Sequence, residues 1–262
     1  MNIFVCIKQV PDTETKIVPM KDGSFIETNA IKWVMNPYDE FAVEQALQIK
    51  TKIPDANVVV VRLGKTRDTE ALRTAMAMGA DEAILIDADD NLDSYMTAKA
   101  IKGAILKSGK KADLILTGKQ AIDDDNLQVP SLLAQMMDLP SVCVVVGFDL
   151  NGSALTLKRE IEGGAVEVYN TTLPCVVACQ KGLNTPRYAS LPGIMKAKKK
   201  TLTQYSLADV GVTDADRRLK YSDFQLPPEK PPGKKFQAME DGTQKVVVNQ
   251  VVSLLRNEAK II

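Results

Sequence analysis

Residues Asp113 to Pro130 read DLILTGKQAIDDDNLQVP. Asp113 to Thr117 is an apolar run of strand length, buried on both faces, whereas Asn126 to Asp138 carries Leu127, Leu132, Leu133, Met136 and Met137 at helical spacing. A buried strand thus runs through a polar loop into a helix. In open α/β sheets ligands sit beyond the carboxyl ends of such strands, where free amides and the helix dipole favour an anion. The loop holds Gly118, Lys119, Gln120 and the aspartates Asp123 to Asp125. Acidic residues favour a helix N-terminus in any case, so the run also reads as a plain cap. For a phosphate to bind, the carboxylates must turn away and backbone N–H groups, with Lys119 nearby, must hold it. Carboxylates turned inward would instead accept hydrogen bonds from adenine or ribose. Neither GxGxxG nor GxxxxGK followed by Ser or Thr occurs, which sets aside an ordinary dinucleotide fold and a P-loop NTPase.

Outward from this junction, strand-like runs at Ile3 to Ile7, Val58 to Leu63, Ala83 to Ile86 and Val142 to Phe148 alternate with helix-like segments. That is the pattern of an α/β fold with a mainly parallel, Rossmann-like sheet covered on both faces. Asn36-Pro37 predicts an N-cap and an N1 proline for a helix over Tyr38 to Lys50, with Asp39 at its third position. Further helices are expected from about Asp68 to Met78, closed by Gly79, and over Ser94 to Lys107. Past Phe148, alternation marks strands at Ala154 to Glu160 and Ala165 to Thr171 around the Gly163-Gly164 hairpin, and Leu173 to Cys179 reads as a further strand of this antiparallel extension.

The nucleotide-binding domain is expected to span residues 1–182. Residues 183–200 follow as a loop in which Pro192 and Gly193 are expected to break any regular element beside the lysines at 196 and 198–200. Residues 201–262 read as an arm: QLPPEKPPGKK, from Gln225, has four prolines that fit neither helix nor central strand. Asp241 and Gln244 at capping-box spacing then open a helix with Val247, Val248, Val251, Leu254 and Leu255 in an apolar stripe. That stripe needs a surface, this chain's own sheet or another subunit.

Composition narrows the function. Lys plus Arg and Asp plus Glu both number 33 in 262 residues, so no global field draws the chain to nucleic acid or an anionic membrane. Histidine is absent, which excludes His-based hydrolytic triads and most zinc sites. Cys6, Cys143, Cys175 and Cys179 form no CxxC pair and sit in apolar runs, so each is read as a small core residue in a reducing compartment, with no metal site. No apolar run reaches membrane-spanning length, and the N-terminus enters a strand without a cleavable signal pattern. A cytoplasmic protein, or a mitochondrial matrix protein in a eukaryote, is expected.

Several stretches together resemble the β subunit of electron transfer flavoproteins, over nearly the whole chain. They are Val34-Met35-Asn36-Pro37 with Glu40, Ala42, Glu44 and Ala46 following; Arg73 to Asp81; Gly118 to Asp125; Lys158 to Ala178, KREIEGGAVEVYNTTLPCVVA; and Arg187 to Lys200, RYASLPGIMKAKKK. The resemblance implies a heterodimer with an α subunit that holds most of one FAD. It implies an electron carrier, not an enzyme, passing electrons from acyl-CoA dehydrogenases to a membrane quinone oxidoreductase. It also implies a structural AMP at the Asp113–Pro130 junction. Ala121 and Asp124 match positions near the adenine, Asn126, Leu127, Gln128 and Val129 match the segment whose amides face the phosphate, and Cys6 and Leu63 match the pocket lining. Tyr38 matches an aromatic that approaches the α-bound FAD. Leu191 matches the leucine inserted into the dehydrogenase, with Pro192, Ile194 and Met195 beside it. The chain departs from the animal-type pattern where Leu127 and Val129 replace a polar pair, which leaves backbone donors but removes side-chain ones.

An electron-bifurcating branch of the family carries a second FAD in place of AMP. It has a glycine and Asp-Thr where this chain has Asp124-Asp125-Asn126, and a smaller residue at Leu127, whose bulk speaks against a second flavin. From another class, a stand-alone enzyme transferring an adenylyl group would use Lys119 and the aspartates, and would need a phosphate loop or metal-binding carboxylates. A ligand sensor would leave the Leu191 loop and the C-terminal helix unexplained.

Overall fold

The computed structural model describes residues 1–65, 69–89, 92–230, 232–237 and 243–262. In chain order the elements are β1 (Asn2–Cys6), β2 (Gln9–Pro11), β3 (Trp33–Met35), α1 (Pro37–Lys52), β4 (Asn57–Gly64), α2 (Glu70–Met78), β5 (Glu82–Asp87), α3 (Ser94–Lys107), β6 (Leu114–Gly118), α4 (Val129–Met137), β7 (Ser141–Asn151), β8 (Ala154–Glu160), β9 (Val166–Thr172), β10 (Cys175–Cys179), α5 (Leu191–Ala197), β11 (Leu202–Ser206) and α6 (Gln244–Asn257). The main sheet has nine strands in the order β11-β5-β4-β1-β6-β10-β7-β8-β9, and β2 pairs with β3 separately. Strands β11 to β7 run parallel; β7, β8 and β9 are joined antiparallel.

Alternation along the buried strands divides the core into two layers. Ile3, Val5, Val58, Val60, Leu114 and Leu116 face α1 and α2. Phe4, Cys6, Val59, Val61 and Ile115 face α3 and α4. Because helices cover both faces, the strands read as unbroken apolar runs. From β1 the chain steps outward through β4 to β5, then returns by α3 to β6 on the other side of β1. The sheet order therefore reverses between β1 and β6, and a crevice opens beyond Cys6 and its register partner Thr117.

The structure changes five readings. Strand β10 lies between β6 and β7, parallel to both, and so belongs to the parallel core and not to the antiparallel extension; all five of its residues are buried. Helix α4 starts at Val129, three residues after the expected Asn126, because Asp125 and Leu127 take φ values of 49° and 53°, which no right-handed helix accommodates. Residues 191–197 form a helix where Pro192 and Gly193 were expected to prevent one, since Pro192 falls in its first turn, where no N–H partner is needed, and Ser190 Oγ caps it by accepting from Gly193 N at 3.1 Å. Strand β11 extends the sheet beyond β5. Finally, Asn36 holds the N-cap position of α1 without a side-chain cap bond, because its amide is engaged elsewhere.

The chain divides into two compact units, 1–224 and 225–262, so α5 and β11 belong with the sheet and the first unit runs past Gly182. In the second unit α6 has no fully buried residue: Val247, Val251, Leu254 and Leu255 are half-buried and Val248 is exposed. Asp68 and Asp241, expected to begin α2 and to cap α6, lie outside the described residues. Among the described residues no helix is long and apolar enough to cross a membrane.

Candidate functional site

Beyond β1 and β6 the backbone is clasped by one side chain. Asp39, 5% exposed in the first turn of α1, accepts from Lys8 N at 2.6 Å through Oδ2 and from Gly118 N at 3.1 Å through Oδ1. The ends of both strands at the reversal point therefore hang on one carboxylate. Asn36 Nδ2 donates to Asp39 Oδ1 at 2.9 Å and to the Gln120 carbonyl at 2.8 Å, while its Oδ1 accepts from Ile122 N at 3.2 Å. The Asn36 amide thus fastens the following loop. Burial pushes Asp39 up to about 7 despite the opposing pull of its N–H donors. Gly118 is required by close approach: a Cβ there would lie 2.3 Å from Asp39 Oδ1 and 2.8 Å from Tyr38 Cβ.

The carboxylates of the acidic run are each turned to a partner. Lys8 Nζ reaches Asp123 Oδ1 at 2.8 Å and Asp124 Oδ2 at 3.1 Å, and Gln120 Nε2 donates to Asp125. Burial would lower Lys8, but the two aspartates hold its ammonium above its ordinary range. The run therefore neither caps α4, which begins four residues after Asp125, nor stands as bare negative charge. Asp125 and Leu127 are left-handed, Asp125 N donates to the Ala121 carbonyl at 3.0 Å and Asn126 N to Asp124 Oδ1 at 3.4 Å, so the loop turns on itself ahead of the α4 N-terminus.

Of the residues expected to hold a nucleotide, Cys6, Leu63 and Val129 share one core layer, and the others lie in the loop between β6 and α4. Cys6 lies in the core layer facing α3 and α4, and Leu63 and Val129 pack against that layer. Ala121 and Asn126 are half-buried in the loop, and Asp124, Leu127 and Gln128 are exposed. Leu127 and Gln128 also line an open cleft of about 770 Å³ with Asp93, Tyr95, Arg218 and Leu219. Asp93 closes its far side, accepting from Met96 N at 2.8 Å, Arg218 N at 2.5 Å and Leu219 N at 2.8 Å. The Arg218 guanidinium stacks 4.8 Å from the Tyr95 ring centre. Tyr38 stands apart from this cleft, half-buried, with Lys119 Nζ 5.1 Å from its ring centre.

Sequence reasoning missed Lys8 and the side-chain roles of Asn36 and Asp39. The signal available was an acid, Asp39, on the buried side of a helix, where acids are rare without a partner. Cys6, Cys175 and Cys179 are buried, and burial pushes the first two thiols up to about 12, so they are poor nucleophiles. Cys143 is the exception to the core reading, half-buried with Ser131 Oγ 3.7 Å from its sulfur. Among the described residues no group of three His, Cys, Asp or Glu side chains could hold a metal ion.

A second exposed site lies on α5. Leu191 is 75% exposed, Ile194 43% and Met195 60%, with Pro192 exposed beside them and Tyr188 on the approach. Lys196, Lys198 and Lys199, all exposed, rim this apolar group.

The chain matches the electron transfer flavoprotein domain family over residues 24–210. It is 41% identical over 267 residues to the electron transfer flavoprotein subunit beta of Bacillus subtilis, covering all of both chains. It is 39% identical over 264 residues to the caffeyl-CoA reductase-Etf complex subunit CarD of Acetobacterium woodii, covering 99% of this chain and 98% of that one. With the Homo sapiens electron transfer flavoprotein subunit beta it shares 37% identity over 245 residues, 92% of this chain and 94% of the human one.

Proposed function

The chain belongs to the electron transfer flavoprotein family and takes the part of its β subunit in electron transfer, and from that premise we propose that it is the AMP-binding, non-bifurcating kind. In this reading it pairs with an α subunit that holds most of the FAD, accepts electrons from acyl-CoA and related dehydrogenases docked at Leu191, and passes them to an electron transfer flavoprotein quinone oxidoreductase in the membrane. It has no bond-making activity of its own and works in the cytoplasm, or in the matrix of a mitochondrion. Residues 1–224 carry the nucleotide fold, with the recognition segment at 183–200 in place of a boundary at 182, and the arm, which starts at 225 rather than 201, ends by 262 in the helix that packs on α.

The observation that carries the nucleotide reading is the clasped crevice at the sheet reversal. Cys6 and Leu63 supply small and apolar lining, Ala121 and Asp124 lie on the loop for the adenine end, and the backbone of Asn126 to Val129 offers amides for one phosphate. Loss of the polar pair at Leu127 and Val129 leaves those amides in place. The bulk of Leu127, where bifurcating members have a smaller residue, favours AMP over a second FAD. When bound, the FAD supplies the one- and two-electron chemistry; Tyr38, with Lys119 over its ring, is the side chain of this chain assigned to its edge. The stand-alone adenylyl-transfer reading loses ground because Lys119 and the three aspartates are all turned to protein partners.

The similarity to the reductase-complex subunit keeps one competing reading in view, a second FAD in the β crevice as in bifurcating members. Coexpression with the candidate α subunit, denaturation of the purified complex and quantification of released nucleotides separates them. One FAD with one AMP per heterodimer is expected. Two FAD without AMP would establish the competing reading, and no flavin would remove both.

A further inference from the structure

Helix α5 has only seven residues, too few to be stable alone, yet it carries the exposed Leu191. Its stability must come from what holds it, and the carboxylate at the centre of that hold, Glu44, is buried. Ahead of the helix, Asn184 Nδ2 donates to the Phe41 carbonyl at 3.0 Å and to Gln45 Oε1 at 3.3 Å, both on α1. Arg187 then meets Glu44 of α1 in a two-pronged pair, Nε to Oε2 at 2.7 Å and Nη2 to Oε1 at 2.9 Å, and its backbone N reaches the same Oε2 at 3.3 Å. One carboxylate, only 4% exposed, thus holds both the side chain and the backbone of Arg187.

Helix α5 itself rests on the last turn of α2. Gly193 lets the two backbones touch: a Cβ there would lie 2.2 Å from the Ala77 carbonyl oxygen. Ala197, the buried residue of α5, has its carbonyl held by Arg73 Nη1 at 2.8 Å. Lys200 Nζ ties the next residues to the Met76 and Ala80 carbonyls at 3.0 and 2.6 Å, where it also completes the C-terminus of α2.

We propose that Glu44 and Gly193 are positioning residues for partner docking: they fix α5 in one pose, so that Leu191 is presented already ordered. The inference rests on the docking role of Leu191 proposed above and goes beyond it, because Glu44 is buried and the side of Gly193 in question faces Ala77 of α2. Fixing the pose removes from association the loss of freedom that a mobile loop would suffer. The lysines at 196, 198 and 199 stay exposed on the same segment, free to steer an acidic partner.

The test uses the intact heterodimer with an acyl-CoA dehydrogenase as electron donor and three variants, Glu44→Gln, Gly193→Ala and Leu191→Ala. The readouts are KM for the flavoprotein, kcat, FAD content, and hydrogen exchange of the amides at 187–197 and in β1, β4 and β6. For Glu44→Gln and Gly193→Ala, KM is expected to rise about five- to tenfold, with kcat and FAD content unchanged and exchange faster at 187–197 alone. If either variant fails to fold, the other carries the test, since the two act through different helices. Faster exchange with unchanged KM, while Leu191→Ala raises KM, would overturn the positioning role and leave the docking role standing. Unchanged KM in Leu191→Ala would remove the docking reading itself.

Discussion

Replacing Asp39 by Asn keeps the size of the side chain but gives one of its two acceptor atoms a donor's chemistry. Three N–H groups, from Lys8, Gly118 and Asn36, point at this carboxylate through both oxygens. In either amide orientation an NH₂ faces a backbone N–H, so at least one buried donor is left unpaired, whereas both oxygens of the carboxyl can accept even when it is protonated. Such a loss is worth about 1–3 kcal/mol, so we expect the variant to be destabilised by about that much at pH 5.5. For a folded unit of this size that lowers Tm by roughly 2–12 °C. The pH dependence gives a second, independent sign. The pKa of Asp39 is raised in the folded state, from 3.8 to about 7. Its contribution to stability is therefore fully present below the unfolded value and is lost as pH rises through 7, because the unfolded chain releases that proton more readily. Asn lacks this dependence, so the gap between wild type and variant should shrink by about 2 kcal/mol between pH 5.5 and 8. Thermal unfolding of the heterodimer at fixed protein and nucleotide concentration, across that range, measures both. Equal melting at pH 5.5, or a gap that widens with pH, would refute the clasp.

Three further outcomes are expected. Gly118→Ala, whose methyl meets Asp39 and Tyr38, should destabilise the protein by about 1–3 kcal/mol and lower its retained nucleotide, as read by nucleotide release after gel filtration; wild-type retention would count against the close approach. Lys8→Met removes an ammonium whose side chain is 40% exposed, so stability should change by less than about 1 kcal/mol, while the freed Asp123 and Asp124 should speed nucleotide dissociation in a stopped-flow chase. Ending the chain after Phe224 should leave the nine-stranded unit folded, with its far-UV circular dichroism retained, and should abolish assembly with the α subunit in size-exclusion chromatography. An unfolded truncation would show that the two units are not separable.

Periodicity revealed the elements of this chain better than their neighbours. The runs at residues 3–7, 58–63 and 113–117 are apolar because helices cover both faces of the sheet, and that pattern alone implies a parallel core. The run ending at Cys179 is apolar for the same reason, but nothing in five buried residues says which strands flank them, and its place between β6 and β7 follows from the return of the chain after β9. Strand β11, LTQYS, lies at an edge and carries polar residues, so it gave little strand signal. Pro192 looks like a breaker in the sequence, but proline in a first turn starts helices as readily as it stops them. At the nucleotide crevice the loop was visible because Gly118 to Asp125 is one contiguous segment. The clasp was not, since Lys8 lies 31 residues from Asp39 and 115 from Asp123, and only the closed sheet brings them together.

The position of β10 has a consequence for how the chain is made. Residues 175–179 are translated after every strand they separate, yet they fill the gap between residues 114–118 and 141–151. Until they leave the ribosome, β6 and β7 each present an open row of N–H and C=O groups to the surroundings, and α4 has half a sheet to rest on. Open strand edges of this kind recruit other chains. The hairpin of β8 and β9, which pairs locally with β7, can form early and keep one of β7's two edges occupied while the centre waits for its last strand. A nascent chain stalled between Thr172 and Cys179 would be the species most exposed to misassembly, and the one on which a chaperone would act.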